Sequence, residues 1–178
     1  MKSLLRLASA IDAVNRRIGR AAAWLILLAV LLSALTATLR YVLDWGSNAM
    51  LEGQWFMFGL VFLLCAPWTL QEQGHVRVDI LHGQLSPRTR VWIDILGALF
   101  FLLPVCLLIT WNGWNYFLIA FGQQESSFNP GGLPWWPMKF VIPLAFALLA
   151  AQGVAELIKG IAMLRGQLPL PGDTRGAH

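Results

Sequence analysis

Chemistry in a chain starts from its titratable, metal-ligating and nucleophilic side chains, and this sequence holds few of them. Cys65 and Cys106 both fall inside apolar runs and make no Cys-x-x-Cys or other metal-ligand spacing. A thiol oxidoreductase needs paired, accessible cysteines, so that activity is excluded. His75 and His82 lie in one loop and do not face each other from two helices, as a membrane haem would require. They read as loop or interface residues ahead of metal ligands. The acids Glu52, Asp94 and Glu156 sit at the ends of apolar stretches. Arg40 could pair with Glu52 across a short connection, and Arg90 or Lys159 with the other two. Such pairs are more often structural than proton relays. No catalytic residue, cofactor or metal emerges.

The elements that must carry these residues follow from composition. Of 178 residues, 57% are hydrophobic and only 12% are charged, about half the usual roughly 25%. A chain of this size cannot hide so much apolar surface in one core, so lipid must solvate part of it. The net charge of +4 could suggest nucleic acid, but there is no basic face with stacking aromatics and no reading motif, so no nucleic-acid partner is expected.

Four stretches are long and charge-free enough to cross a bilayer: Ala21–Leu39, Gly53–Gln71, Ile95–Gln124 and Phe140–Ala155. The first exceeds a signal peptide's apolar core and follows a long charged leader, which favours a retained helix over a cleaved one. Of the thirteen basic residues, all but Arg40 and Lys139 fall before the first stretch, between the second and third, or after the fourth. That distribution puts both termini in the cytoplasm. Trp45, Trp55, Trp111, Trp114, Trp135 and Trp136 then fall near the outer interface, and Trp24, Trp68 and Trp92 near the inner one.

In the leader, Leu4, Leu7, Ile11, Val14 and Ile18 recur at spacings of three and four, with Lys2, Arg6, Asp12, Arg16 and Arg17 on other faces. The pattern fits an amphipathic helix on the cytoplasmic leaflet, serving as a topology anchor or as a docking arm for another subunit. Ser86-Pro87 has the form of an N-cap with proline at the first helical position. A helix from there to Phe121 would be about 50 Å long, so it must tilt, kink or project. Pro104 is the expected bend, and Pro67 and Pro143 have the same potential in spans two and four. The segment from Gly122 to Pro137 is dense in turn formers and aromatics. It is either an aromatic belt with tight turns or a partner-contact surface.

The resulting fold class is an all-α integral membrane protein with four transmembrane helices and an N-terminal amphipathic interfacial helix. Residues 1–18 form the amphipathic helix, and 19–160 the membrane domain, with spans near 21–43, 52–72, 88–120 and 138–160. Residues 161–178 form a cytoplasmic tail expected to be disordered. An intramembrane transport or catalytic site should show ionisable residues, and none stands near the centre of a span. A proton-coupled multidrug exporter would carry an acid in its first span, which offers only Ser33, Thr36 and Thr38. Nor are there Gly-interrupted segments in corresponding halves, the usual pointer to a midplane substrate site.

Specific residues add a family resemblance. Arg40-Tyr41-Val42, then Glu52, then Gly74-His-Val-Arg-Val-Asp-Ile-Leu81 resemble the small membrane subunit of tripartite ATP-independent periplasmic (TRAP) transporters. So do Glu125-Ser126, Pro130-Gly-Gly-Leu-Pro134, Trp136, Pro137, Lys139, Ile142 and Pro143, followed by Gln152-Gly153 and Glu156. Span two opens Leu51-Glu52-Gly53-Gln54, with one carboxylate where many relatives have two.

The resemblance implies a bacterial inner-membrane, sodium-coupled secondary transporter of three components. A periplasmic solute-binding protein captures an organic solute, usually an organic acid. A large multi-span membrane subunit moves it by an elevator-like motion, and the small subunit scaffolds that motion without enzymatic activity. The candidate structural or contact residues are Arg40, Glu52, His75, Arg77, Asp79, Glu125, Pro130, Gly131, Gly132, Pro134, Trp136 and Lys139. Arg40 with Glu52 would lock the outer ends of spans one and two, and His75 to Asp79 would order the inner loop. The outer loop would meet the large subunit or the binding protein. The alternative is a stand-alone four-helix membrane exporter or enzyme.

Overall fold

The computed structural model describes residues 1–72 and 85–170. Among the described residues, four helices are long and apolar enough to cross a membrane: α1 (Lys2–Val42), α2 (Asn48–Gln71), α3 (Pro87–Gly122) and α4 (Trp136–Leu164). Among the described residues there is no strand, only an isolated antiparallel bridge between Ser126 and Pro134. His75, Arg77, Asp79 and the tail residues 171–178 lie outside the described residues.

Small residues are inside and large ones outside. The buried apolar side chains are almost all alanines, among them Ala22, Ala29, Ala145, Ala155 and Ala162, while Phe62, Phe101 and Trp111 are about three-quarters exposed. Helices solvated by lipid gain little from burying large apolar groups against one another, so small residues that let backbones approach take the contacts. In α1 the buried positions Ala8, Asn15, Ala22, Ala29 and Thr36 recur every seven residues, with Gly19 beside them. Such a repeat keeps one narrow seam facing its neighbours.

α4 is the hub, packing against α1, α2 and α3, while α1 and α2 pair along their length. The α3–α4 contact is close enough to demand glycine. A Cβ at Gly160 would stand 2.9 Å from Ile95, and one at Gly153 2.9 Å from Leu102.

The leader and the first span are one helix, unbroken from Lys2 to Val42. The run Arg20-Ala-Ala-Ala-Trp24 contains strong helix formers and nothing to stop a helix. Leu4, Leu7 and Val14, from the expected apolar stripe, are each about half exposed. The face that packs is the neighbouring one, Ala8, Asn15 and Gly19. The amphipathic segment is therefore the first part of the spanning helix rather than a separate element.

Ser86 caps α3 as its sequence indicates, its hydroxyl accepting from the Thr89 amide at 3.3 Å with Pro87 in the first turn. The irregularity expected at Pro104 takes the form of a π-helical turn, Ala98–Leu102, just before it. Proline has no N–H to give to the carbonyl four residues back and its ring crowds that carbonyl. A one-residue widening of the ladder relieves both problems.

Candidate functional site

The polar side chains gather at the two ends of the bundle. At the end where α2 and α4 begin, Glu52 sits in the first part of α2 and is 2% exposed. Its carboxylate accepts from the Ser127 hydroxyl, from Asn129 Nδ2 at 2.9 Å and from the Leu133 amide at 2.7 Å. All three donors belong to the loop between α3 and α4.

The loop sequence explains how it reaches Glu52. The Trp135 amide donates to the Glu125 carbonyl at 2.9 Å and the Ser127 amide to the Leu133 carbonyl at 3.0 Å, so the segment closes on itself as a short hairpin. At its tip the Gly132 amide donates to the Asn129 carbonyl at 3.0 Å. Pro130 at the first central position and Gly131 at the second, with φ +70, make the pattern of a type II turn. Gly132 supplies room: a Cβ there would collide with Ser127 and stand 2.8 Å from Glu52 Oε2. Asn48, at the start of α2, donates to the Pro130 carbonyl at 3.0 Å and holds the turn from the same helix.

The base of the hairpin is fixed by Lys139. Its ammonium pairs with Glu125 at 2.5 Å and lies 4.0 Å from the centre of the Tyr116 ring on α3. Trp136 meets Phe121 edge-on at 5.3 Å, and Trp135 meets Phe128 at 5.5 Å. Glu52, Glu125, Pro130, Gly131, Gly132, Pro134, Trp136 and Lys139 thus come together in one assembly. Sequence reading passed over Ser127 and Asn129 as partners of Glu52. The available signal was their place beside the Pro130-Gly131 turn, in a loop dense in turn formers.

Arg40 does not join them. The expected Arg40–Glu52 lock is replaced by the clasp of Glu52 to the loop, because the loop's three donors occupy the carboxylate. Arg40 instead faces a groove between α1 and α2, shared with Asp44 and Gln54. Near the α1–α2 connection, the two helices are tied by Gln54, which donates to Thr36 Oγ1 at 3.1 Å.

The opposite end of the bundle carries a second network. Asn15 and Gln152 are fully buried, and Asn15 Nδ2 donates to Gln152 Oε1 at 2.7 Å. Gln152 Nε2 donates onward to Asp12 at 2.7 Å and Glu156 at 3.0 Å. Lys159 closes the ring, 3.1 Å from Asp12 and 2.6 Å from Glu156. The expected pairing of Lys159 with an inner acid is present. The roles of Asp12 and Asn15 were missed, although Asn15 stands out as a polar residue in the seven-residue repeat of alanines.

The first assembly joins the α3–α4 loop to α2 and α4, and the second joins α1 to α4. In both, the charged side chains are held by hydrogen bonds or ion pairs, several of them from distant parts of the chain. The fold and these clasps define a multi-pass, four-helix membrane protein. A model of the family described as "Tripartite ATP-independent periplasmic transporters, DctQ component" matches residues 30–163, and the chain belongs to that family. It is therefore a small membrane component of a transporter whose other parts are a large membrane subunit and a binding protein, and the family is not one of enzymes. No curated protein and no solved structure matched in the further comparisons.

Proposed function

We propose that this chain is the framework subunit of a sodium-coupled, binding-protein-dependent secondary transporter for an organic solute, most simply an organic acid. Its helices brace the large elevator-type subunit while that subunit moves, with both termini in the cytoplasm. The observation that carries this reading is the placement of polarity. Glu52 and the Glu125–Lys139 pair bind the outer end, and Asp12, Lys159 and Glu156 bind the inner end. The stretches between them present large apolar side chains outward. A part that must stay rigid while a neighbour slides against it needs fixed ends and a smooth apolar flank.

The contact residues divide by level. The hairpin around Glu52 offers the large subunit or the binding protein a fixed outer surface, on which Phe128 is 89% exposed. His75, Arg77 and Asp79 belong to the inner connection. The test is co-purification. A tagged chain expressed with the large subunit and binding protein should bring down the large subunit in equal amount. Solute transport by this chain alone in liposomes would overturn the reading in favour of a stand-alone exporter.

A further inference from the structure

The outer end of α1 has a polar feature that the clasp around Glu52 does not use. The groove between α1 and α2 has a volume of about 670 Å³ and is lined by Ser33, Thr36, Arg40, Asp44, Leu51 and Gln54. A lobe of about 320 Å³ continues it to Ser47 and Asn48. Arg40 and Asp44 are both exposed, and neither forms an ion pair with the other or with any other described residue.

On an unbroken helix an acid and a base four residues apart would meet. Here α1 stops at Val42, and Asp44 adopts a left-handed backbone with φ 51. That conformation favours glycine, yet an aspartate occupies it, and its carboxylate stays apart from Arg40 on the same groove. Opposite charges held separately in one wall match a dipolar occupant better than a simple anion.

The level of the groove indicates what kind of occupant. Arg40 ends the charge-free run Ala21–Leu39, so Ser33 lies within the run and the two charges lie at its edge. Tyr41 is 90% exposed and Trp45 54% exposed beside it, side chains suited to the lipid–water boundary.

We infer that this groove binds the head group of a zwitterionic phospholipid bearing a primary amine. Its phosphate accepts hydrogen bonds from the Arg40 guanidinium, and its ammonium donates to the Asp44 carboxylate. The Ser33 hydroxyl lies where the glycerol esters enter the apolar layer. A quaternary amine has no N–H to give Asp44, which makes the site selective for the primary amine. The assignment depends only on α1 and α2 crossing a bilayer, so it stands or falls separately from the framework reading.

The test is native mass spectrometry of the full chain, purified with its membrane partner and exchanged into vesicles of phosphatidylethanolamine, phosphatidylcholine or phosphatidylglycerol. The unaltered chain should retain phosphatidylethanolamine preferentially. Arg40→Gln should lower that retention about tenfold, the change expected on losing one charge-assisted hydrogen bond. Asp44→Gly, which suits the backbone and so does not endanger folding, should reduce phosphatidylethanolamine to the level of phosphatidylcholine and leave the latter unchanged. Equal retention of the two lipids by the unaltered chain, or no change in either variant, would overturn the assignment. So would soluble phosphoethanolamine binding as tightly as the lipid, which would mark a solute site. Protection of Ser33→Cys from a thiol reagent only when the large subunit is present would likewise overturn it, by assigning the groove to a protein partner.

Discussion

Glu52 and Leu133 are 81 residues apart in the chain and are joined by a 2.7 Å hydrogen bond, the loop amide donating to the carboxylate. With Ser127 and Asn129 on the other oxygen, this bond fastens the α3–α4 hairpin over the start of α2. A carboxylate that accepts several N–H and O–H donors holds them more firmly than a neutral acceptor would. Glu52 is therefore a principal fastening of the hairpin to α2, alongside the Asn48–Pro130 hydrogen bond.

Glu52→Ala should release the hairpin while leaving the spans in place. Chymotrypsin added to the protein in detergent should then cut at Phe128 about tenfold faster, because cleavage follows the population of the opened loop. The helical signal should be unchanged. Cleavage at the original rate would mean that the hairpin holds itself closed.

Gly132→Ala should produce a similar opening by a different route, since the new methyl group has no room beside Ser127 and Glu52. The expected loss of stability is about 1–3 kcal/mol, typical of overpacking. Gly122→Ala is the control, because a Cβ there meets nothing within 4 Å. Thermal melting in detergent distinguishes them, and equal melting temperatures would refute the close approach at Gly132.

In the network around Gln152, Asn15→Leu and Gln152→Leu should each lower stability by about 0.6–2 kcal/mol, the range for interhelical hydrogen bonds in membranes. The double variant should lose less than the sum, because the two amides bond each other at 2.7 Å. Strict additivity in an unfolding titration would show that the pair is not coupled.

The four spans were legible because charge-free runs of the required length have no soluble explanation, and Ser86-Pro87 marks its helix start through purely local chemistry. The Pro130-Gly131 turn was legible for the same reason. Arg40 and Glu52 were paired by proximity across the connection from α1 to α2, but the carboxylate's partner is decided by a loop far along the chain. Asn15 and Gln152 are 137 residues apart, and no local pattern links them. The continuity of α1 was hidden because the stripe of Leu4, Leu7 and Val14 suggested a surface helix. The packing is made instead by Ala8, Asn15 and Gly19, whose small size gives little hydrophobic signal.

The central claim, that this chain is passive but necessary framework, is tested most directly by uptake into proteoliposomes of the solute retained by the cognate binding protein. Liposomes holding the large subunit together with this chain should take up solute when sodium and loaded binding protein are added, while either subunit alone stays at background. Undiminished uptake without this chain, or solute bound by this chain on its own, would contradict the account.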